Sequence, residues 1–272
     1  MQGARQTLAV IFPPFFGRSP TMCTIAILLD VVAGAPLVVA ANRDEIYARP
    51  ARPPEPLADG IAGGVDALSG GTWLAIRRGG RFAAVTNQRA LAPVAPGLRS
   101  RGLAVRELIA DDDPERYVAA LDPTNYASMN LVWGDAAGVS IAYARRDAAA
   151  GARIDIERLP RGIHVLCNDR LGAEGFPRGV RLHDAIAAAP PAWPAIAPAL
   201  QAALADHTRE APPPSHLPPE IARELTAVCI HTPGYGTRSS TIFAAGHGEV
   251  IAYLHADGSP CTTPFVDHRR LV

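Results

Sequence analysis

The stretch CTIAILLD (23–30), followed by PLVVAANRD (36–44), decides how this chain is read. Two apolar runs of strand length, separated by a Gly34-Ala35-Pro36 turn, predict adjacent buried β-strands. The second run meets four strongly polar residues, Asn42-Arg43-Asp44-Glu45. A strand interior does not tolerate four such groups in succession, so they are expected at an edge or lining a site.

Working outward, more hairpins follow. TWLAIRR (72–78) and RFAAVTN (81–87) flank Gly79-Gly80, whose two positions tolerate positive φ. SMNLVWGD (128–135) and GVSIAYAR (138–145) flank Ala136-Ala137, and SSTIFAAG (239–246) and EVIAYLHA (249–256) close around Gly246-His247-Gly248. ARIDIERL (152–159) and GIHVLCND (162–169) read as one further strand pair. Arg49 to Pro56 reads as a rigid proline-rich loop, and Pro212 to Pro219 as a second loop. Helices are expected at Ser100–Ala110 with Ser100 as N-cap, and at Asp113–Leu121 with proline in the first turn. Three more are expected at Val180–Ala188, Ala195–Asp206 and Pro219–Cys229. Hairpins with segregated helices predict an α+β layered fold and not an alternating βαβ one.

Composition bounds the rest. Of 272 residues, 48% are hydrophobic and 19% charged, which predicts a substantial buried core. The formal net charge is +0, so no long-range attraction to nucleic acid or anionic lipid is expected. No apolar stretch approaches the ~20 residues needed to span a bilayer. Cys23, Cys167, Cys229 and Cys261 are scattered without C-x-x-C or Cys/His ligand spacing. Neither a zinc site nor a disulfide framework is therefore expected, and a reducing, cytoplasmic compartment is.

With no internal repeat and no shift in composition, residues 22–272 read as one domain. Residues 1–21 read as an extension outside the mature fold. Leu8 to Phe16 is apolar with Arg5 ahead of it, as in a signal peptide, but Pro13 and Pro14 interrupt it and no small-x-small site follows. The alternative, translation from Met22, is preferred because Met22-Cys23 opens a strand at once.

The polar clusters that carry chemistry are Cys23-Thr24, Asn42 to Glu45, Gly70-Gly71-Thr72-Trp73 with Thr86-Asn87-Gln88-Arg89, and Leu166-Cys167-Asn168-Asp169 with Tyr235 to Ser240. In this order, Met22-Cys23, NRDE (42–45), GGTWLA (70–75), TNQR (86–89), NLVWGD (130–135) and YGTRSST (235–241) resemble the NRDE family of transport and Golgi organization proteins. The resemblance runs from Met22 to about Tyr253. It implies a four-layer αββα sandwich of antiparallel sheets, as in N-terminal nucleophile (Ntn) hydrolases. Within that class the chain is most similar to the cysteine-dependent penicillin acylases and bile-salt hydrolases.

The resemblance assigns roles residue by residue. Loss of Met22 would leave Cys23 as nucleophile, its own α-amine (pKa about 7.7–8.0) serving as the base. Arg43 would favour the thiolate and Asp44 would hold the ammonium. Asn168, with Asn87 as a second donor, would stabilise an oxyanion, and Arg238 would lie near the nucleophile. Cys167 stands where the family has serine, and Gly175-Phe176-Pro177-Arg178 only loosely matches its Trp-Pro-Lys stretch. Hydrolysis of a non-peptide C–N bond in a small acylated substrate would need no cofactor.

Each residue also has a structural reading. Cys23 is a small hydrophobe on a first strand, Arg43 and Asp44 an ion pair at a strand end, and Asn87 and Asn168 caps for backbone groups. Arg238 suits a phosphate or carboxylate contact, and Trp73 and Trp133 suit the core. The resemblance also implies a non-catalytic alternative, binding and trafficking of haem or of acyl-CoA and lipid. For haem, His164, His231, His247 and His255 are the candidate iron ligands.

Overall fold

The computed structural model describes residues 23–89, 96–147, 151–215 and 217–272. The expectations for residues 1–21 and for Met22 lie outside the described residues. The chain opens with β1 (Thr24–Leu29) and β2 (Leu37–Ile46), paired antiparallel. It then lays down a seven-stranded meander, β3 (Ala51–Ala58), β4 (Ile61–Asp66), β5 (Leu74–Arg77), β6 (Arg81–Asn87), β7 (Met129–Asp135), β8 (Gly138–Asp147) and β9 (Gly151–Arg158). The remaining strands, β10 (Gly162–Leu166), β11 (His231–Thr232), β12 (Tyr235–Gly246), β13 (Glu249–Ala256) and β14 (Val266–Asp267), return to the first sheet. Its order is β10-β1-β2-β12-β13-β14, with β11 on β12. Helices α1 (Arg101–Ala110) and α2 (Pro114–Ala120) follow β6, and α3 (Pro177–Ala187), α4 (Ala197–Leu204) and α5 (Pro219–Glu224) follow β10.

The period-two alternation of strand side chains builds four layers from these pieces. Ile25, Ile27, Leu37, Val39 and Phe243 of the first sheet pack against Leu74, Ile76, Phe82, Val132 and Ile141 of the second. The intervening Ala26, Leu28, Val38, Ala40 and Ile242 pack outward under Leu182, Ile186, Leu200 and Leu204 of α3 and α4. On the far side Ala83, Leu131 and Trp133 pack under Val105, Leu108, Ile109 and Val118 of α1 and α2. Both faces of each sheet are covered, which is why β1 reads as an unbroken apolar run. The result is the expected αββα sandwich.

The helix signals act as anticipated at α1 and α2. Ser100 Oγ accepts the Gly102 N–H, and Asp113 Oδ1 accepts the Arg116 N–H. Gly79 and Gly80 take φ of 89° and 88° in the β5–β6 turn.

Three expectations need correction. Residues 51–58 form a strand and not a loop; Pro53, Pro54 and Pro56 are accommodated because β3 is an edge strand with register shifts against β4. The 152–159 and 162–169 runs do not pair with each other: β9 pairs with β8 and β10 with β1, so the chain changes sheets between them. Of the two places expected for Asn42 to Glu45, an edge or a site, they take the second: they lie within β2, paired with β12 throughout and with β1 only at Asn42, and most of their polar groups find partners there. The last helix ends at Glu224, and α3 begins at Pro177. No helix among the described residues is long and apolar enough to cross a membrane.

Candidate active site

The site forms where β1 and β10 end and β2 and β12 run on past them. Thr24 pairs with Asn42, Arg43 with Ser239, and Ile25 with Leu166. Carrying these registers one or two residues further sets Cys23 beside Arg43, with the Cys167-Asn168 peptide on its other flank. Alternation along β2 then divides the polar run between two faces of the sheet. Arg43 turns between the sheets, its guanidinium 4.7 Å from the ring centre of Trp73. Asn42 turns toward the helices and donates to the carbonyls of Leu204 and Val228, at 2.9 and 3.0 Å.

Cys23 is half-buried. Burial, then the charge of Asp44, push its thiol up to about 12, against the Asp44 backbone N–H and Arg43, which favour the thiolate. Arg43 is buried and reaches Glu45 at 3.4 Å. Arg101, at the start of α1, is within electrostatic reach of Cys23 and Glu45 and donates to the Ser128 carbonyl. Arg43 Nη1, Ser239 Oγ and His255 Nε2 are buried without hydrogen-bond partners among the described residues.

On the helix side, Asp44 is 1% exposed. Its Oδ1 accepts Thr237 Oγ1 at 2.7 Å, while its Oδ2 is buried with no partner among the described residues. Burial raises its pKa to about 7, opposed by Arg178, the Thr237 hydrogen bond and Arg43. Arg178 is itself 1% exposed and donates to Asn168 Oδ1 at 2.8 Å. Asn168 Nδ2 donates to the Asn87 carbonyl at 2.9 Å. A cleft of about 590 Å³ opens beside this network, along Val165, Cys167, Phe176, Gly179 and His183, rather than over Cys23.

Five of the six candidates therefore converge: Cys23, Arg43 and Asp44 through β1 and β2, and Asn168 and Asn87 through one hydrogen bond. Arg238 falls at the bulge between Thr237 and Ser239, partly exposed, and its ion-pair partner is Asp257 at 3.8 Å. The buried arginine of the network is instead Arg178, which sequence reasoning passed over. Its signal was the basic residue after Pro177, at the place of the family's Trp-Pro-Lys stretch. Arg101 carried no signal beyond its place next to the Ser100 cap.

The candidate iron ligands do not gather. His164 on β10 and His255 on β13 are separated by three strands, and His255 Nδ1 is engaged with Thr241 Oγ1. His164 contacts the Pro160 carbonyl, and His247 lies in the β12–β13 turn. Without any ligand spacing along the chain, Cys229 and Cys261 nevertheless meet His207 and His231 in space.

The family described as Transport and Golgi organisation 2 matches residues 22–255. The chain belongs to this family. Its bovine relative, the Transport and Golgi organization protein 2 homolog of Bos taurus, is 32% identical over 241 residues, covering 78% of this chain and 83% of that protein. The human homolog is 31% identical over 248 residues with the same coverage. Among solved structures, a variant of the conjugated bile acid hydrolase from Clostridium perfringens matches with a TM-score of 0.52 at 10% identity, over 91% of this chain and 93% of that one. The Caenorhabditis elegans ortholog of N-acylethanolamine-hydrolyzing acid amidase matches at 0.50 and 10% identity, over 81% and 91%. This member of the Transport and Golgi organisation 2 family thus has the fold of Ntn hydrolases.

Proposed function

We propose that this protein is an Ntn-type amidohydrolase that cleaves a linear amide between a small acyl group and an amine, with Cys23 as nucleophile once it becomes the first residue. The observation that carries this reading is Asp44 Oδ2, a buried carboxylate oxygen next to Cys23 that has no partner among the described residues. An α-ammonium on Cys23 supplies the missing partner. The same ammonium lowers the Cys23 thiol from about 12 by placing a positive charge beside it.

The chemistry then runs on this chain's own groups. The α-amine takes the thiol proton, and the sulfur attacks the carbonyl carbon. The oxyanion formed is held by donors at the sheet end, which Asn168 and Arg178 position. Collapse breaks the C–N bond, the leaving amine takes the proton from the α-ammonium, and water hydrolyses the thioester to acid and thiol. The fold neighbours, named for hydrolysing N-acylethanolamine and conjugated bile acid, support this substrate class by fold alone.

A second reading is favoured by one observation. While residues precede Cys23, its thiol stays protonated near neutral pH. In that form the protein acts as a non-catalytic binder of an acyl or lipid ligand in a transport role, in keeping with the family's description.

The test is the intact mass of the protein from its native host, followed by incubation with N-acyl amides. A chain beginning at Cys23 that releases the amine, and loses turnover on Cys23→Ala, bears out the hydrolase. A processed chain whose turnover is unchanged by Cys23→Ala excludes it.

A further inference from the structure

Cys229, His231, His207 and Cys261 come from three segments: Cys229 and His231 from the stretch leading from α5 into β11, His207 from the chain after α4, and Cys261 from the loop after β13. One ligand-type atom from each lies within 4.8 Å of all the others. His231 Nε2 is 3.6 Å from Cys229 Sγ and 3.4 Å from Cys261 Sγ. In a tetrahedral zinc site, bonds of about 2.3 Å to sulfur and about 2.0–2.1 Å to nitrogen set neighbouring S and N atoms roughly 3.6 Å apart. The two observed edges have that length.

The surroundings are those of a ligand set. His207 Nδ1 lies 3.0 Å from the Cys229 carbonyl, so this nitrogen carries the proton and Nε2 keeps its lone pair for a metal. The His231 backbone N–H donates to Glu224 Oε1 at 2.8 Å, which fixes the first residue of β11. Cys229 is buried, whereas the other three reach the surface and leave a route for an ion.

We propose that these side chains form a Cys2His2 site for one zinc ion, separate from the Cys23 chemistry. Four protein ligands close a tetrahedron, so the ion is structural and binds no substrate. Two thiols give up their protons to solvent as two S–Zn bonds form. Bound zinc ties the segment after α4, β11 and the C-terminal loop into one unit. That unit abuts the candidate active site: the Ile230 N–H, between two ligands, donates to Thr237 Oγ1, which in turn donates to Asp44 Oδ1.

The experiment uses the full chain, purified under reducing conditions, stripped with a chelator and titrated with Co²⁺ alone. One equivalent should bind with the absorption of tetrahedral cobalt–thiolate, and Zn²⁺ should displace it. Cys261→Ser and His231→Ala, at surface positions, should each weaken binding by more than ~10-fold, since loss of even an outer-shell partner costs ~10–100-fold. Zinc should raise the melting temperature of the stripped wild-type chain and not that of either variant. Absence of cobalt binding, binding undiminished in both variants, or a Cys229–Cys261 disulfide found under the same reducing conditions would overturn the assignment.

Discussion

Thr237 Oγ1 donates to Asp44 Oδ1 across 2.7 Å, joining residues 193 positions apart. The bond crosses from β12 to β2 and fixes one carboxylate oxygen, while the other is left buried without a partner among the described residues. Much of the behaviour of this sheet end follows from that asymmetry.

Asp44 should make stability fall as pH rises. Its folded pKa is raised to about 7, chiefly by burial, against about 3.9 in an unfolded chain. The native state therefore holds a proton that the unfolded state releases. The associated stability is complete below about pH 4 and is lost as pH rises through about 7. Asp44→Asn, which keeps the shape without the charge, should gain on wild type by a few kcal/mol between pH 4.5 and pH 8. Urea unfolding of the chain that retains residues ahead of Cys23 measures this, and a pH-independent difference refutes it.

His255 should act in the opposite sense. Burial, then the neighbouring charge of His268, depress its pKa to about 3. The unfolded state takes up a proton near pH 6.5 that the native state refuses, so stability falls as pH drops from about 6.5 toward 3. The slope is at most roughly 1.4 kcal/mol per pH unit. His255→Gln should flatten this acid limb, and an unaltered limb counts against it.

Arg178 is the cation that the network can least lose. It donates to Asn168 Oδ1 and opposes the raised pKa of Asp44. Arg178→Met should cost about 3–5 kcal/mol, the range for removing one partner of a buried charged contact. It should also move the Asp44 titration further up. A denaturation midpoint within error of wild type would show the contact to be dispensable.

Gly64 fixes the tryptophan under Arg43. A Cβ there would overlap Trp73 Cη2, so the ring would have to move. Gly64→Ala should therefore destabilise by ~1–3 kcal/mol and shift tryptophan fluorescence as Trp73 leaves its place beneath Arg43. A variant with wild-type emission and stability argues against the ring being confined.

The strands that carry the site were legible because their pattern is local. β1, β2, the β5–β6, β7–β8 and β12–β13 hairpins and the Ser100 cap are all specified by residues a few positions apart. The proline-rich edge strand β3 was misread because proline is a strong local signal for a loop. Only its edge position, fixed by β4, makes a strand tolerable there. Arg178 and Arg101 were not picked out because one arginine in a helix's first turns looks like any solvated charge. Arg238 looked better placed in the sequence than it proved in space, where the bulge in β12 directs it toward Asp257.

By itself the sequence determined the layered α+β class, the family and the short segments from which the candidate site is drawn, since hydrophobic period and motif order survive without any contact being known. The tertiary structure alone decided which face each of Asn42, Arg43 and Asp44 meets, which arginine is buried against Asn168, and that Cys229, His231, His207 and Cys261 converge. Those outcomes depend on pairings between residues up to 198 positions apart. Such pairings are set by packing of the whole sandwich and leave no spacing to read along the chain.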